Sequence, residues 1–365
     1  MQKKICIVTA ARSEYGLLSR IATLIKEAQE DFNLQLVVTG AHLLEEQGFT
    51  YKDIEKDGLP ISEFVDMQLK TDSNINIVMS MGRCLIGFAE VLEKLKPDLM
   101  VVLGDRYELL AICSAALIMN IPIAHISGGD VTEGAIDDQV RNAVTMMATL
   151  HFPGNEQSAQ NIARMRGSDK NVFNVGELGL DNFRTMTLIS RENLAKNLKI
   201  DINKRWVLMT YHPETKLSLE CNLEIVKNII SALNKIDNIE VVITKSNADF
   251  GGKQINSFLE QITELNPIKY KLSFMSQVSL VIGNSSSGII EAPYCMVPVI
   301  NIGDRQKGRY LCQNVIQTDT DLRSISNAIY NSFNSSVQNI ADSGYYGNGY
   351  ATEKIVNQIK LFVNE

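Results

Sequence analysis

A chain of 365 residues with 45% hydrophobic side chains exceeds the size at which a single core stops growing, so two domains are expected. A formal charge of −7 excludes a protein that holds nucleic acid through a broad basic surface, while leaving room for one local basic cleft and a metabolite partner. Six scattered cysteines without a C-x-x-C pair argue against a disulfide framework, and no uninterrupted apolar run approaches the ~18 residues that span a bilayer; the expectation is a soluble, cytoplasmic protein.

The first predicted element is a strand over residues 5–10, then a helix over about 14–29 and a strand over 35–39. Between strand and helix lies Thr9-Ala10-Ala11-Arg12-Ser13-Glu14, where free backbone N–H groups and the helix dipole favour an anion. Arg12 is a candidate phosphate partner, against the plainer reading of a solvated arginine beside a Ser13 cap; without G-x-G-x-x-G a dinucleotide is not indicated. After a less regular stretch, a helix over about 75–94 leads to a strand at 98–103, a helix at 108–119 and a strand at 121–126. These near-continuous apolar strands alternating with helices predict a doubly wound parallel sheet, with ligands beyond the carboxyl ends of its strands.

Two charged segments stand at those ends: Gly104-Asp105-Arg106-Tyr107-Glu108 and Ser127-Gly128-Gly129-Asp130. With Glu133, Asp137 and Asp138 they form a set of carboxylates close enough to raise one another's pKa and permit acid/base work, although aspartates at a helix start are also ordinary caps. His125, inside its apolar strand, reads as a satisfied core residue. A helix over 141–150, a short strand at 151–153 and residues 171–176 close the series.

Residues 177–204 are polar and helical, so the boundary is placed at 176: domain one is 1–176 plus a closing helix at about 351–365, domain two is 177–350. The second series runs strand 206–210, helix 219–235, strand 239–244, helix 253–265, strand 280–282, a helix from Ser287 and strand 297–302. His212 ends its first strand and faces a rim rather than a core. Gly283-Asn284-Ser285-Ser286-Ser287-Gly288 makes a cradle of donors for phosphate oxygens, and Glu291, further along that helix, suits two ribose hydroxyls. Arg305, Lys307 and Arg309 follow the next strand and would neutralise a diphosphate. No metal-ligand spacing is present.

With those motifs in order, the chain resembles the hydrolysing UDP-N-acetylglucosamine 2-epimerases, the family that opens sialic and legionaminic acid synthesis. The resemblance runs through Arg12-Ser13-Glu14-Tyr15, Gly104-Asp105-Arg106, His125-Ile126-x-Gly128-Gly129, Gly134-Ala135-Ile136-Asp137-Asp138, His212-Pro213, Gly283-Asn284-Ser285-Ser286 and Gly303-x-Arg305-Gln306-x-Gly308-Arg309. It implies a GT-B fold of two Rossmann-like domains facing a cleft, a homodimer or homotetramer, and no metal or redox cofactor. It also implies anti-elimination of UDP to a 2-acetamidoglycal and syn addition of water, releasing a C2-inverted sugar and UDP. On this pattern Asp105, Asp130, Asp137 and His212 are catalytic candidates, and Arg12, Arg106, His212, Asn247, Ser285, Ser286, Glu291 and Arg309 contact substrate or nucleotide. Where the family commonly has a glutamate, this chain has Ser127; that departure points to Asp130 or Glu133 as a substitute, or to a 4-acetamido-4,6-dideoxy substrate. A GT-B glycosyltransferase and a catalytically silent nucleotide-sugar sensor are the alternative readings.

Overall fold

A computed structural model describes residues 2–70, 73–131, 136–214, 216–246, 251–262, 271–334 and 344–365. They form two compact units, the first comprising 1–181 and 347–365, the second 182–346. The sequence places these junctions at 176 and 350.

In unit 1, β1 (Lys3–Thr9), α1 (Arg12–Glu27), β2 (Phe32–Thr39), α2 (Tyr51–Lys56), β3 (Ile61–Val65), α3 (Asn74–Leu95), β4 (Leu99–Leu103), α4 (Glu108–Ile118), β5 (Ile123–Ile126), α5 (Ile136–Met147), β6 (Leu150–Phe152) and α6 (Glu156–Arg166) follow in order. The sheet is β3-β2-β1-β4-β5-β6 with every pair parallel. Alternate residues of β1 and β4 feed opposite cores, which is what a sheet covered on both faces demands. Ile5, Ile7, Leu99 and Val101 pack with Leu18, Ile21 and Ile25 of α1. Cys6, Val8, Met100 and Val102 pack with Phe88 and Leu92 of α3 and Ile112 of α4.

Unit 2 contains α8 (Arg191–Leu198), which follows α7 (Leu178–Thr185) at the junction, then β7 (Arg205–Thr210), α9 (Leu219–Leu233), β8 (Ile239–Ile243), α10 (Gly252–Ile262), α11 (Lys271–Met275), β9 (Leu280–Gly283), α12 (Ser286–Tyr294), β10 (Val299–Ile302), β11 (Val315–Thr318) and α13 (Leu322–Asn334). Its sheet is β11-β10-β9-β7-β8, again all parallel. Val207, Met209 and Ile300 meet α9 and α13 on one face. Trp206, Leu208 and Val299 meet Leu194, Phe274 and Ala292 on the other. The chain then returns to unit 1 as α14 (Ala351–Asn364), whose Ile355 and Ile359 share the α1 core. The Asp181 carboxylate caps this helix, accepting from the N–H groups of Ala351 at 3.0 Å and Thr352 at 2.7 Å.

Strand order reverses between β1 and β4 in unit 1 and between β7 and β9 in unit 2. In open α/β sheets these reversals, the topological switch points, leave a crevice outside the strand ends. Six of these elements were not predicted: α2, β3, α6, α11, β11 and α13. The helix whose opening the sequence marks at Ile136-Asp137-Asp138 does begin at Ile136, but it ends at Met147, and Leu150 already belongs to β6. Residues 171–176 supply a single bridge, Val172 to His151, rather than a strand.

Candidate active site

At the unit 1 switch point the turn after β1 is fixed by Glu14, whose Oε2 accepts from the N–H groups of Ala10 at 2.8 Å and Ala11 at 3.2 Å. This is the carboxylate half of a capping box, and it replaces the Ser13 cap read from the sequence. The other oxygen faces Arg106 Nε at 3.9 Å, and Arg106 Nη2 donates to the fully buried Glu108 at 2.6 Å. Arg12 projects outward beside Asp53, 3.7 Å away.

The turn after β4 carries Asp105, paired with Arg141 of α5, a buried cation. Arg141 also donates to the Asp130 carbonyl at 2.9 Å and lies 3.7 Å from Asp138. One guanidinium therefore ties three acidic segments together from a helix that the sequence marked only for its aspartates. Below it His125 contacts the Gly104 carbonyl through Nε2 at 2.8 Å and Thr145 Oγ1 through Nδ1 at 3.2 Å. Burial pushes His125 down to about 4, so it is neutral at pH 7 and serves as a brace for the Asp105 turn. Gly128 sits directly on it: a Cβ there would lie 2.9 Å from His125 Nδ1. Ser127 adopts a φ of +60°, a left-handed conformation that turns the chain between β5 and the glycine pair.

Asp130 points toward α6, where its Oδ1 accepts from Ser158 and from Asn155 Nδ2 at 3.3 Å. That oxygen anchors the start of α6. Asp137 is exposed in the first turn of α5. Glu133, Gly134 and Ala135 lie outside the described residues, as does Asn247.

In unit 2 the strand ends are locked by two buried asparagines. Asn284, after β9, accepts from the His212 N–H at 2.8 Å and donates to the His212 carbonyl at 2.8 Å, clamping that residue across the switch point. Asn222 of α9 does the same for Glu214, accepting from its N–H at 2.8 Å and donating to its carbonyl at 3.2 Å. His212 is thus held through both its backbone N–H and its backbone carbonyl. Ser285 caps α12, with its Oγ 3.4 Å from the Ser287 N–H and 3.0 Å from the Ser287 hydroxyl. The half-buried Ser286 opens that helix. Glu291 is half-buried in the same helix. Of the three predicted cations, Arg305 donates to the Asn284 carbonyl at 3.2 Å, Lys307 is exposed beside Asp304 at 3.8 Å, and Arg309 is half-buried. Gln306 joins Arg305 on Asn284 at 2.9 Å, fastening the loop after β10 to the serine cradle.

Sequence reasoning therefore located the rims and missed what holds them. Glu108 and Asn284 stood inside the strand-end motifs without a bracing role, and Arg141 and Asn222 were given no role at all; a full-length side chain pinned under a turn shows only in three dimensions.

Residues 25–360 match the family model described as UDP-N-acetylglucosamine 2-epimerase. The chain is 39% identical over 328 residues, 87% of its length and 85% of the relative's, to a hydrolysing GDP/UDP-N,N′-diacetylbacillosamine 2-epimerase of Campylobacter jejuni. It is 30% identical over 368 residues, 99% of its length and 96% of the relative's, to a hydrolysing UDP-N,N′-diacetylbacillosamine 2-epimerase of Legionella pneumophila. Among solved structures, the Neisseria meningitidis UDP-GlcNAc 2-epimerase bound to UDP-GlcNAc has the same fold, with a TM-score of 0.79 at 18% identity over 98% of this chain and 99% of that one.

Proposed function

The chain belongs to the UDP-N-acetylglucosamine 2-epimerase family and is a hydrolysing nucleotide-sugar 2-epimerase, and from that premise we propose that it converts a UDP-linked 2-acetamido sugar into the free C2-inverted sugar and UDP. The carrying observation is the unit 2 switch point, where a serine cradle and helix start are fastened to His212 and to the Arg305–Arg309 loop. This is where a departing diphosphate is held. UDP-N,N′-diacetylbacillosamine is the substrate favoured by the names of both relatives.

A proton on C2 is too weakly acidic for a carboxylate unless the C1–O bond breaks first and leaves oxocarbenium character at C1. Leaving-group binding and proton abstraction are therefore separate jobs, and we assign them to separate rims. Ser285, Ser286, Arg309 and His212 hold UDP, with Glu291 on the ribose. Asp105 and Asp137 move protons, and Asp130, with one oxygen committed to α6, keeps the adjacent turn in place. In the first step a carboxylate takes the C2 proton, the C1–O pair leaves with UDP, and a C1–C2 double bond forms. In the second, water adds its hydroxyl to C1 and a proton returns to C2 on the opposite face.

Of UDP-N-acetylglucosamine and UDP-N,N′-diacetylbacillosamine incubated in deuterated water, at least one should yield free sugar carrying deuterium at C2, read by NMR. Release of UDP only with an added acceptor would indicate a glycosyltransferase, and tight binding without turnover a sensor; either result overturns the proposal. Ser286→Ala and Arg309→Ala are each expected to weaken UDP binding by about tenfold in calorimetry, the loss of one charge-assisted hydrogen bond. Unchanged affinity in both would remove the cradle from the nucleotide site.

We further infer that α3 mates two copies of the chain. Its inner face, Cys84, Phe88 and Leu92, is fully buried, yet Ile75, Val78, Met79 and Ile86 on the outer face are 51% to 69% exposed. Those four fall at helical spacing around Gly82, a midpoint that permits close crossing of a symmetric partner. Among the described residues this is the one helix long and apolar enough, by length and composition, to cross a membrane. Its inner face is already spent on the unit 1 core. Ile86→Lys is expected to convert a dimer to a monomer in light scattering without lowering the melting temperature. A monomeric wild type, or one that floats with liposomes, would refute the assignment.

A further inference from the structure

The reaction as assigned leaves two carboxylates without a task, Glu14 and Glu108, both buried at the unit 1 switch point around one cation, Arg106. We propose that Glu14 is a positioning residue for the reaction: from the first turn of α1 it reaches across the switch point to Arg106 and so holds the turn that carries Asp105. The proposal rests on the function assigned above.

The geometry makes this link hard to replace. Glu14 Oε2 is fixed by two backbone N–H groups, leaving Oε1 directed at Arg106 Nε, 3.9 Å away. Arg106 follows Asp105 in the chain, and its carbonyl accepts from the Leu109 N–H at 2.9 Å to begin α4. Glu108 Oε1 takes Arg106 Nη2, while Glu108 Oε2 is buried without a hydrogen-bond partner among the described residues. Two negative groups thus share one positive group out of water. The other neighbour, His42, lies between the hydroxyls of Thr9 at 3.0 Å and Thr50 at 2.8 Å and is pushed down to about 4 by burial, so it adds no charge at pH 7. Asp53, the remaining nearby carboxylate, faces the exposed Arg12 and Lys56.

Burial, opposed by the Ala10 N–H and then by Arg106, pushes Glu14 up to about 7. Ionised Glu14 holds Arg106 from the β1 side; protonated Glu14 surrenders it to Glu108. Turnover should therefore fall as pH drops through about 7. Stability runs the other way: the folded value lies above the unfolded value of 4.5, so stability is lost as pH rises from there toward about 7.

Glutamine fills the same capping-box role, so Glu14→Gln keeps the helix start while removing the charge. At pH 8 its kcat is expected to drop about tenfold with KM nearly unchanged, its acid limb to vanish, and its melting temperature not to fall. Glu108→Gln should instead move the acid limb to lower pH, because the competing carboxylate is gone. Wild-type kcat and an intact acid limb in Glu14→Gln would overturn the proposal, as would a Glu108→Gln profile that does not move. A wild type that turns over neither UDP-N-acetylglucosamine nor UDP-N,N′-diacetylbacillosamine would instead defeat the assigned function.

Discussion

Replacing Asp105 by asparagine is expected to lower turnover by about a thousandfold while leaving UDP affinity within about threefold of wild type, since a proton-transfer group is removed and no phosphate contact is touched. The substitution is nearly isosteric. The new amide would still offer an oxygen to Arg141, and Arg141 would keep the Asp130 carbonyl and Asp138. The rim should survive, with a melting temperature lowered by a few degrees for the lost charge partner. Arg141→Met is the contrasting case: it leaves Asp105 and Asp138 facing each other without their shared cation, so both stability and turnover fall. Single-turnover kinetics beside UDP calorimetry separate the two effects. Normal turnover in Asp105→Asn would remove this carboxylate from the chemistry.

That contrast also shows how far the sequence could be read. The five apolar residues of β4, all buried, mark a central strand, so Asp105 at its end was bound to stand on a rim. The same logic placed Ser127, His212 and the 283–288 cradle. What escaped is whatever depends on a partner from another element. Arg141 reads as one more polar residue of an amphipathic helix, and only its burial beneath the 104–106 turn makes it the clamp of that rim. Asp130 reads as an acid among acids; that one of its oxygens belongs to α6 could not be anticipated when α6 itself, with only Ser158 and Ile162 buried, gives almost no apolar period. β3 failed for a similar reason: an edge strand with Val65 alone buried does not show the continuous run of an interior strand. The Ser13 cap was displaced because Glu14, one position further on, satisfies two backbone donors at once.

The largest structural effect is expected from a single methyl group at Gly283. This residue ends β9 at the unit 2 switch point, paired in register with Thr210 of β7, and its φ of +139° is one that side chains rarely adopt. A Cβ there would fall 1.9 Å from the Thr210 carbonyl oxygen, so the strands must part by more than an ångström. The Thr210 carbonyl is also the acceptor for the Asn284 N–H at 3.1 Å, and Asn284 in turn holds His212 at both ends. Gly283→Ala should therefore cost unit 2 about 3 kcal/mol or more and reduce UDP affinity by about a hundredfold, through loss of the clamp rather than of any phosphate donor. Gly308→Ala is the control, because its φ of +91° carries the backbone strain while nothing lies within 4 Å of the added methyl. It should cost about 1–2 kcal/mol. Thermal melting and UDP calorimetry on both variants distinguish collision from strain. If Gly283→Ala bound UDP as tightly as wild type, the cradle could not depend on the close approach of β7 and β9.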